Sequence, residues 1–250
     1  MYSENNNDAL ACIVKSNPEI EQYINSVKAE HKKVISMLVH ELRNPLTLLK
    51  GTIQYIESKH PETKDYKYWE QLHELIADME NIMSDASLLN SYNLINKDEV
   101  NLIVLIHNIV NSFMPQAIDK DIRLTFTCEP EDESLFGSYS CDATKLKQAI
   151  INLIKNAFEA VQPGNFINIQ LKHQPRTDTA PAKLAIIISN NGAPIPEDIQ
   201  ENIFNPFVSY KKGGSGIGLA LVKKVVDMHY GSISVKSDDS LTVFTIQLPL

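Results

Sequence analysis

The chain has 250 residues, 43% hydrophobic and 22% charged, which suits one large or two small globular domains with real cores. A formal net charge of −8 argues against a non-specific nucleic-acid binder, which needs positive charge for the phosphate backbone. Three cysteines, Cys12, Cys128 and Cys141, form no close pair of the zinc or redox kind and point to a reducing compartment.

Residues 1–17 are polar and read as a flexible tail. They carry no basic stretch followed by an apolar core, and no later segment approaches the roughly 18 apolar residues of a membrane span. A cytoplasmic protein without a membrane span is therefore expected. From Asn17, a cap, and Pro18, a first-turn residue, apolar positions such as Ile20, Val27, Val34, Leu38, Leu42 and Leu49 recur at helical spacing to about Ile56. Pro61 and its polar neighbours mark a turn, and a second helix is expected over about 66–89, with Trp69, Leu72, Ile76, Met79 and Met83 on its apolar face. Two long helices with a short connection form an antiparallel hairpin. Its apolar stripe is too wide for one hairpin to bury, so a four-helix bundle built by a homodimer is predicted.

The stretch "SYNLINKDEV" is the boundary: residues 18–92 form the helical domain and 98–250 a second one. There "NLIVLIHNIVNSFMPQAIDK" reads as a helix and "DIRLTFTCE" as a strand. Asp142 caps a helix over "ATKLKQAIINLIKNAFEAV". Strands follow in "NFINIQLKHQ" and "AKLAIIISNNG", then a short helix in "PEDIQENIFNPF". A helix entered from glycines and a closing hairpin, "SISVKSDD" with "LTVFTIQLPL", complete the chain. The second half is thus an α/β sandwich, one helical layer on a mixed sheet.

Two features of this half bear on ligands. Gly213, Gly214, Gly216 and Gly218 precede or enter a helix, where close backbone approach and free amide donors suit phosphate, although a structural turn has the same look. Asn152 and Asn156 lie four apart on one helical face, as do Lys155 and Glu159. Asparagine oxygens suit Mg²⁺ that is partly held by water and phosphate, while an ordinary polar face is the plainer alternative.

Taken in order, four blocks resemble a sensor histidine kinase transmitter over nearly everything from residue 20 to the end: "HELRNPL", "NLIKNAFEA", "IFNPFVSYK" and "GGSGIGLAL". The pattern is most similar to soluble sporulation- and nitrogen-type kinases. The resemblance implies an all-α dimerisation hairpin followed by an ATP-binding α/β sandwich of the histidine kinase and Hsp90-like ATPase type. It implies a protein-histidine kinase with ATP and Mg²⁺ as cofactors. Its expected partners are a second copy of the chain, a response regulator receiver domain and a separate sensory protein, with no direct nucleic-acid contact.

Carried over residue by residue, His40 accepts the phosphoryl group on a ring nitrogen, Glu41 orients or deprotonates that ring, and Asn44 places water or the partner's aspartyl phosphate. Neutral imidazole is a usable nucleophile near neutral pH. Pro45 loosens the helix beside His40. Asn156 holds Mg²⁺ with Asn152 assisting. Lys155 faces phosphate or solvent, Lys211 meets a phosphate, and Gly214, Gly216 and Gly218 line the triphosphate passage. Phe204 and Phe207 anchor a short lid, and Thr242 lies near the nucleotide. His31, His60, His73, His107, His173 and His229 lack comparable context and read as structural or exposed.

One block departs from the pattern. In "SNNGAPIPED", Asn190 stands where the family has an aspartate that accepts from the adenine amine, Gly192 keeps the first glycine, and Pro194 replaces the second. Leu241 stands where a glycine normally precedes the threonine. The favoured function is ATP-dependent autophosphorylation on His40 and transfer to a response-regulator aspartate, with phosphatase activity at Asn44. The alternative is a non-catalytic phosphotransfer or scaffold protein with a degenerate nucleotide pocket.

Overall fold

The computed structural model describes residues 18–90, 95–177, 181–208 and 216–250. It comprises two compact units, divided after Asn90. The Asn17 cap, most of the "SYNLI" boundary and the first glycines of the last block lie outside the described residues.

The first unit is a helical hairpin. Helix α1 spans Pro18–Lys59, a 3-10 turn spans Pro61–Asp65, and helix α2 spans Trp69–Asn90. The second helix therefore starts later than its apolar pattern suggested, because the 3-10 turn and its exit at Tyr66 occupy the intervening chain. The buried residues of α1 are Val39, Leu46 and Ile53, and those of α2 are Ile76 and Met83, with Trp69 packed beside them. Each set repeats every seven residues, the spacing that keeps two supercoiled helices facing along one seam. Polar ties fasten the hairpin: Lys50 pairs with Glu80 at 2.9 Å, and Glu57 Oε1 accepts from Trp69 Nε1 and from His73 Nε2, each at 2.8 Å. Beside the seam, Leu38, Leu42, Leu49, Leu75, Met79 and Ile82 remain exposed within this single chain.

In the second unit, a small antiparallel pair is formed by β1 (Asp98–Val100) and β3 (Tyr139–Cys141). Between them run α3 (Leu102–Asp119), β2 (Arg123–Cys128), a 3-10 turn and α4 (Glu133–Phe136). The chain continues through α5 (Ala143–Ala160), β4 (Phe166–Gln174), β5 (Lys183–Asn190), α6 (Glu197–Gln200), α7 (Gly218–Met228), β6 (Ser232–Ser237) and β7 (Thr242–Pro249). The main sheet has five strands in the order β2-β4-β5-β7-β6, with β2 parallel to β4 and the other pairs antiparallel. Alternation along these strands sends Ile169, Ile188 and Phe244 into one buried row, and Leu171, Ile186 and Ile246 into the next. Leu146, Ile150, Leu153 and Ile154 of α5, with Leu221 and Val225 of α7, supply the helical side of the core.

Candidate active site

His40 is exposed, six positions before buried Leu46 and so about a third of a turn around α1 from the seam. Glu41, Arg43 and Asn44 are exposed beside it. Pro45 lies inside the helix, yet α1 continues unbroken to Lys59. Proline cannot donate the bond that would reach the Glu41 carbonyl, a loss worth about 3 kcal/mol in an ordinary helix interior. Two residues later Thr47 Oγ1 donates to the Arg43 carbonyl at 2.8 Å. The result is an accessible imidazole on a rigid rod, next to a helix turn with a weakened ladder.

In the second unit, the candidate residues gather where the sheet rows end. After two apolar rows, the next row joins Ile167, Asn190, Thr242 and Ser237 across β4, β5, β7 and β6. Asn190 is 2% and Thr242 3% exposed, so polar groups occupy a place where the preceding rows carry isoleucine and phenylalanine. Thr242 Oγ1 pairs with Ser237 Oγ at 2.6 Å, and Ser237 Oγ accepts the Ile195 N–H at 2.8 Å. Asn190 Nδ2 has no partner among the described residues. A buried amide donor left unpaired costs about 1–3 kcal/mol, a standing deficit that a bound group with an acceptor would remove.

The turn after Asn190 is pinned on three sides. Asn191 Oδ1 accepts the Phe166 N–H at 2.7 Å, Ala193 N–H donates to the Ala160 carbonyl at 2.9 Å, and Ile195 is held by Ser237. Gly192 is required there, since a Cβ would stand 2.3 Å from the Ala160 carbonyl oxygen. Pro194 is exposed between two anchored residues, where its missing N–H leaves the ties on either side intact.

Helix α5 brings Asn152 and Asn156 to one half-buried face, with Lys155 exposed. Asn152 Nδ2 reaches the Gly218 carbonyl at 3.4 Å, which ties the middle of α5 to the first residue of α7. Gly216 adopts φ +66, and a Cβ there would lie 2.7 Å from the Phe207 carbonyl carbon. Phe207 N–H donates to the Gly216 carbonyl at 2.9 Å, and the Phe207 ring is 71% exposed. Phe204 instead turns inward, edge-on to Phe244 at 6.4 Å. Lys211 and Gly214 lie outside the described residues.

Two family profiles match the chain: one described as "His Kinase A (phospho-acceptor) domain" over residues 30–92, and one as "Histidine kinase-, DNA gyrase B-, and HSP90-like ATPase" over 141–250. The solved catalytic domain of histidine kinase ThkA is 32% identical, with a TM-score of 0.54, and covers 62% of this chain and 95% of that one. The chain belongs to the histidine kinase family. Its likeness to "Sensory histidine kinase/phosphatase NtrB" of Vibrio alginolyticus is 30% over 225 residues, 88% of this chain and 62% of that one. "Sporulation kinase B" of Bacillus subtilis (strain 168) is 31% identical over 233 residues, 89% of this chain and 51% of that one. ThkA in complex with response regulator protein TrrA aligns at 26% identity and a TM-score of 0.63, over 93% of this chain and 67% of that one. The chain thus spans about half to three fifths of the length of the curated relatives it matches. Among the described residues, no helix is long and apolar enough to cross a membrane.

The donor set of this histidine kinase fits a magnesium nucleotide without dedicated carboxylates. Among the described residues no cluster of three or more His, Cys, Asp or Glu could hold a metal. Mg²⁺ keeps waters and takes phosphate oxygens readily, so the amide oxygens of Asn156 and Asn152 would be the protein groups to hold it. The unpaired Asn190 amide is a buried polar group that the edge of a nucleobase would satisfy.

Sequence reasoning passed over one contributor. His229, read only as structural or exposed, is 1% exposed, and its Nε2 accepts the Asp142 N–H at 3.0 Å. Asp142 in turn caps α5 by accepting the Lys145 N–H at 3.1 Å, and receives Lys145 Nζ at 2.6 Å and the Asn96 N–H at 3.2 Å. Burial alone would raise the Asp142 carboxyl, but these donors outweigh it and hold the pKa below the usual value. The only sequence signal was a histidine at the end of an apolar helix, just before Gly231.

Proposed function

We propose that this chain catalyses ATP-dependent phosphorylation of its own His40 and passes the phosphoryl group to an aspartate of a response-regulator receiver domain. The observation that carries this reading is the coincidence of an accessible His40 in the phosphoacceptor unit with the polar row, pinned glycine turn and paired asparagines of the second. A ring nitrogen of His40 forms the new N–P bond while the bond from the γ-phosphorus to the bridging oxygen breaks and ADP leaves. Glu41 accepts a hydrogen bond or the proton from the other ring nitrogen. Asn152, Lys155, Asn156, Gly216 and Gly218 position the triphosphate, and Asn190, Gly192 and Thr242 the base end; Lys211 and Gly214 complete the set. Bound Mg²⁺ supplies charge neutralisation; the rest is positioning.

The exposed leucines beside the hairpin seam support a homodimer, in which a second copy closes a four-helix bundle. The solved complex of ThkA with TrrA supports a receiver domain as the second partner. The phosphatase in the name of the NtrB relative supports a reverse activity, which we place at Asn44. Incubation of the full chain with γ-labelled ATP and Mg²⁺ tests the reading. Acid-labile, base-stable label is expected in wild type and none in His40→Gln; label that survives the substitution rejects it. Asn190 in place of aspartate favours one competing reading, a relay that receives phosphate without binding nucleotide. That reading requires no Mg-ATP binding at millimolar concentration.

A further inference from the structure

We infer that the amide of Asn190 lets this site accept 6-oxopurine nucleotides, guanosine or inosine triphosphate, alongside ATP. The inference deepens the proposed function and rests on its nucleotide-binding reading. Asn190 follows buried Leu184, Ile186 and Ile188 along β5, is 2% exposed, and has an Nδ2 donor with no partner among the described residues. Its neighbours do not consume that donor: Thr242 is paired with Ser237, and the adjoining turn is tied to Phe166, Ala160 and Ser237 by other atoms.

An amide carries one acceptor and one donor face. Toward adenine, Oδ1 accepts from the 6-amine while Nδ2 donates to N1. Toward guanine or hypoxanthine the same group turned over donates from Nδ2 to O6 and accepts from N1–H at Oδ1. Both pairings satisfy the amide, so neither base leaves it unpaired. A carboxylate in its place is acceptor-only: it suits the 6-amine and sets lone pair against lone pair at O6. Base choice at this position therefore depends on one side-chain atom, and this chain carries the permissive version.

The test is calorimetric titration of the full chain, in Mg²⁺, with the β,γ-imido analogues of ATP, GTP and ITP. The inosine analogue isolates the O6 and N1 edge, because it lacks the 2-amine of guanine. The expected result is binding of the ITP and ATP analogues within about 10-fold of each other, the span of one modest hydrogen bond. In Asn190→Asp the ratio moves toward adenine by at least about 10-fold, the weight of a charge-assisted bond gained or opposed. A wild-type preference for the ATP analogue over the ITP analogue beyond about 100-fold overturns the inference while leaving the nucleotide reading intact, as does an unchanged ratio in a folded Asn190→Asp. No binding of any of the three by wild type overturns both. The wild-type ratio decides the matter even where the aspartate variant fails to fold.

Discussion

Replacing His229 with phenylalanine should lower the stability of the α/β unit at pH 8 and flatten its response to acid. Nε2 accepts from Asp142 N–H, so the ring is neutral with its proton on Nδ1, which donates to the Val225 carbonyl at 2.8 Å. Burial pushes the His229 pKa below its ordinary 6.5. The Val225 carbonyl and Asp142 carboxylate pull it upward, and the nearby Lys97 and Lys145 push it further down. Above pH 6.5 folded and unfolded chains both hold the ring neutral, and its bonds contribute in full. As pH falls below 6.5 the unfolded chain binds a proton that the folded chain refuses. Stability is then lost at up to about 1.4 kcal/mol per pH unit, until the folded ring also protonates.

Phenylalanine removes this titration and leaves the buried Asp142 N–H without its acceptor, at a cost of about 1–3 kcal/mol. For a unit of this size each kcal/mol is roughly 2–4 °C in melting temperature. Scanning calorimetry from pH 8 to 5.5 is the assay. The two units can be told apart because Trp69, the single tryptophan, lies in the hairpin and its fluorescence follows that unit alone. The variant should melt lower at pH 8, and the two curves should converge on acidification. Parallel curves would show that the ring does not titrate against folding, and the reasoning would fail.

Leu46→Ala, at the centre of the hairpin seam and 4% exposed, should cost about 2–5 kcal/mol by Trp69 fluorescence in urea, and little in the second unit's transition. Glu57 is held below the usual carboxylate value by the Trp69 indole N–H first and His73 second, so the hairpin should lose stability as pH falls through and below about 4.5; Glu57→Gln should blunt that loss. Gly192→Ala forces a methyl to 2.3 Å from the Ala160 carbonyl oxygen, and should weaken binding of the ATP analogue by displacing the turn beside Asn190, measured by the same titration.

Much of the architecture was legible because it repeats. Helical spacing in both hairpin helices and two-residue alternation in β4 and β7 are patterns a reader can count, yet the buried seam of α1 is Val39, Leu46 and Ile53, while Leu38, Leu42 and Leu49 of the expected apolar face stay exposed in this single chain. Asp142 was legible as a cap because capping is local: its acceptor and the Lys145 N–H are three residues apart. What escaped was nonlocal. The Asp142–His229 bond joins residues 87 apart, and nothing beside His229 names its partner. The small β1–β3 pair escaped because three residues are too few to show alternation. Pro194 shows in sequence only as a replaced glycine; the three ties around it reveal a turn whose shape is set by its neighbours.

Several residues here break the rule of their own element, and packing separates those that serve chemistry from those that serve the fold. Pro45 weakens a helix on its exposed side, beside an accessible imidazole; nothing in the hairpin seam calls for it. Asn190 follows buried Leu184, Ile186 and Ile188 along β5 and keeps an unpaired donor. His229 also interrupts an apolar surface, yet both its nitrogens are spent on protein partners. A buried polar group with its bonds filled explains itself as structure. One with bonds left open, in a native chain that stands only a few kcal/mol above unfolding, points to a partner that arrives later. On that criterion, the place to look for a ligand in this unit is the end of β5, and the group to watch is one amide.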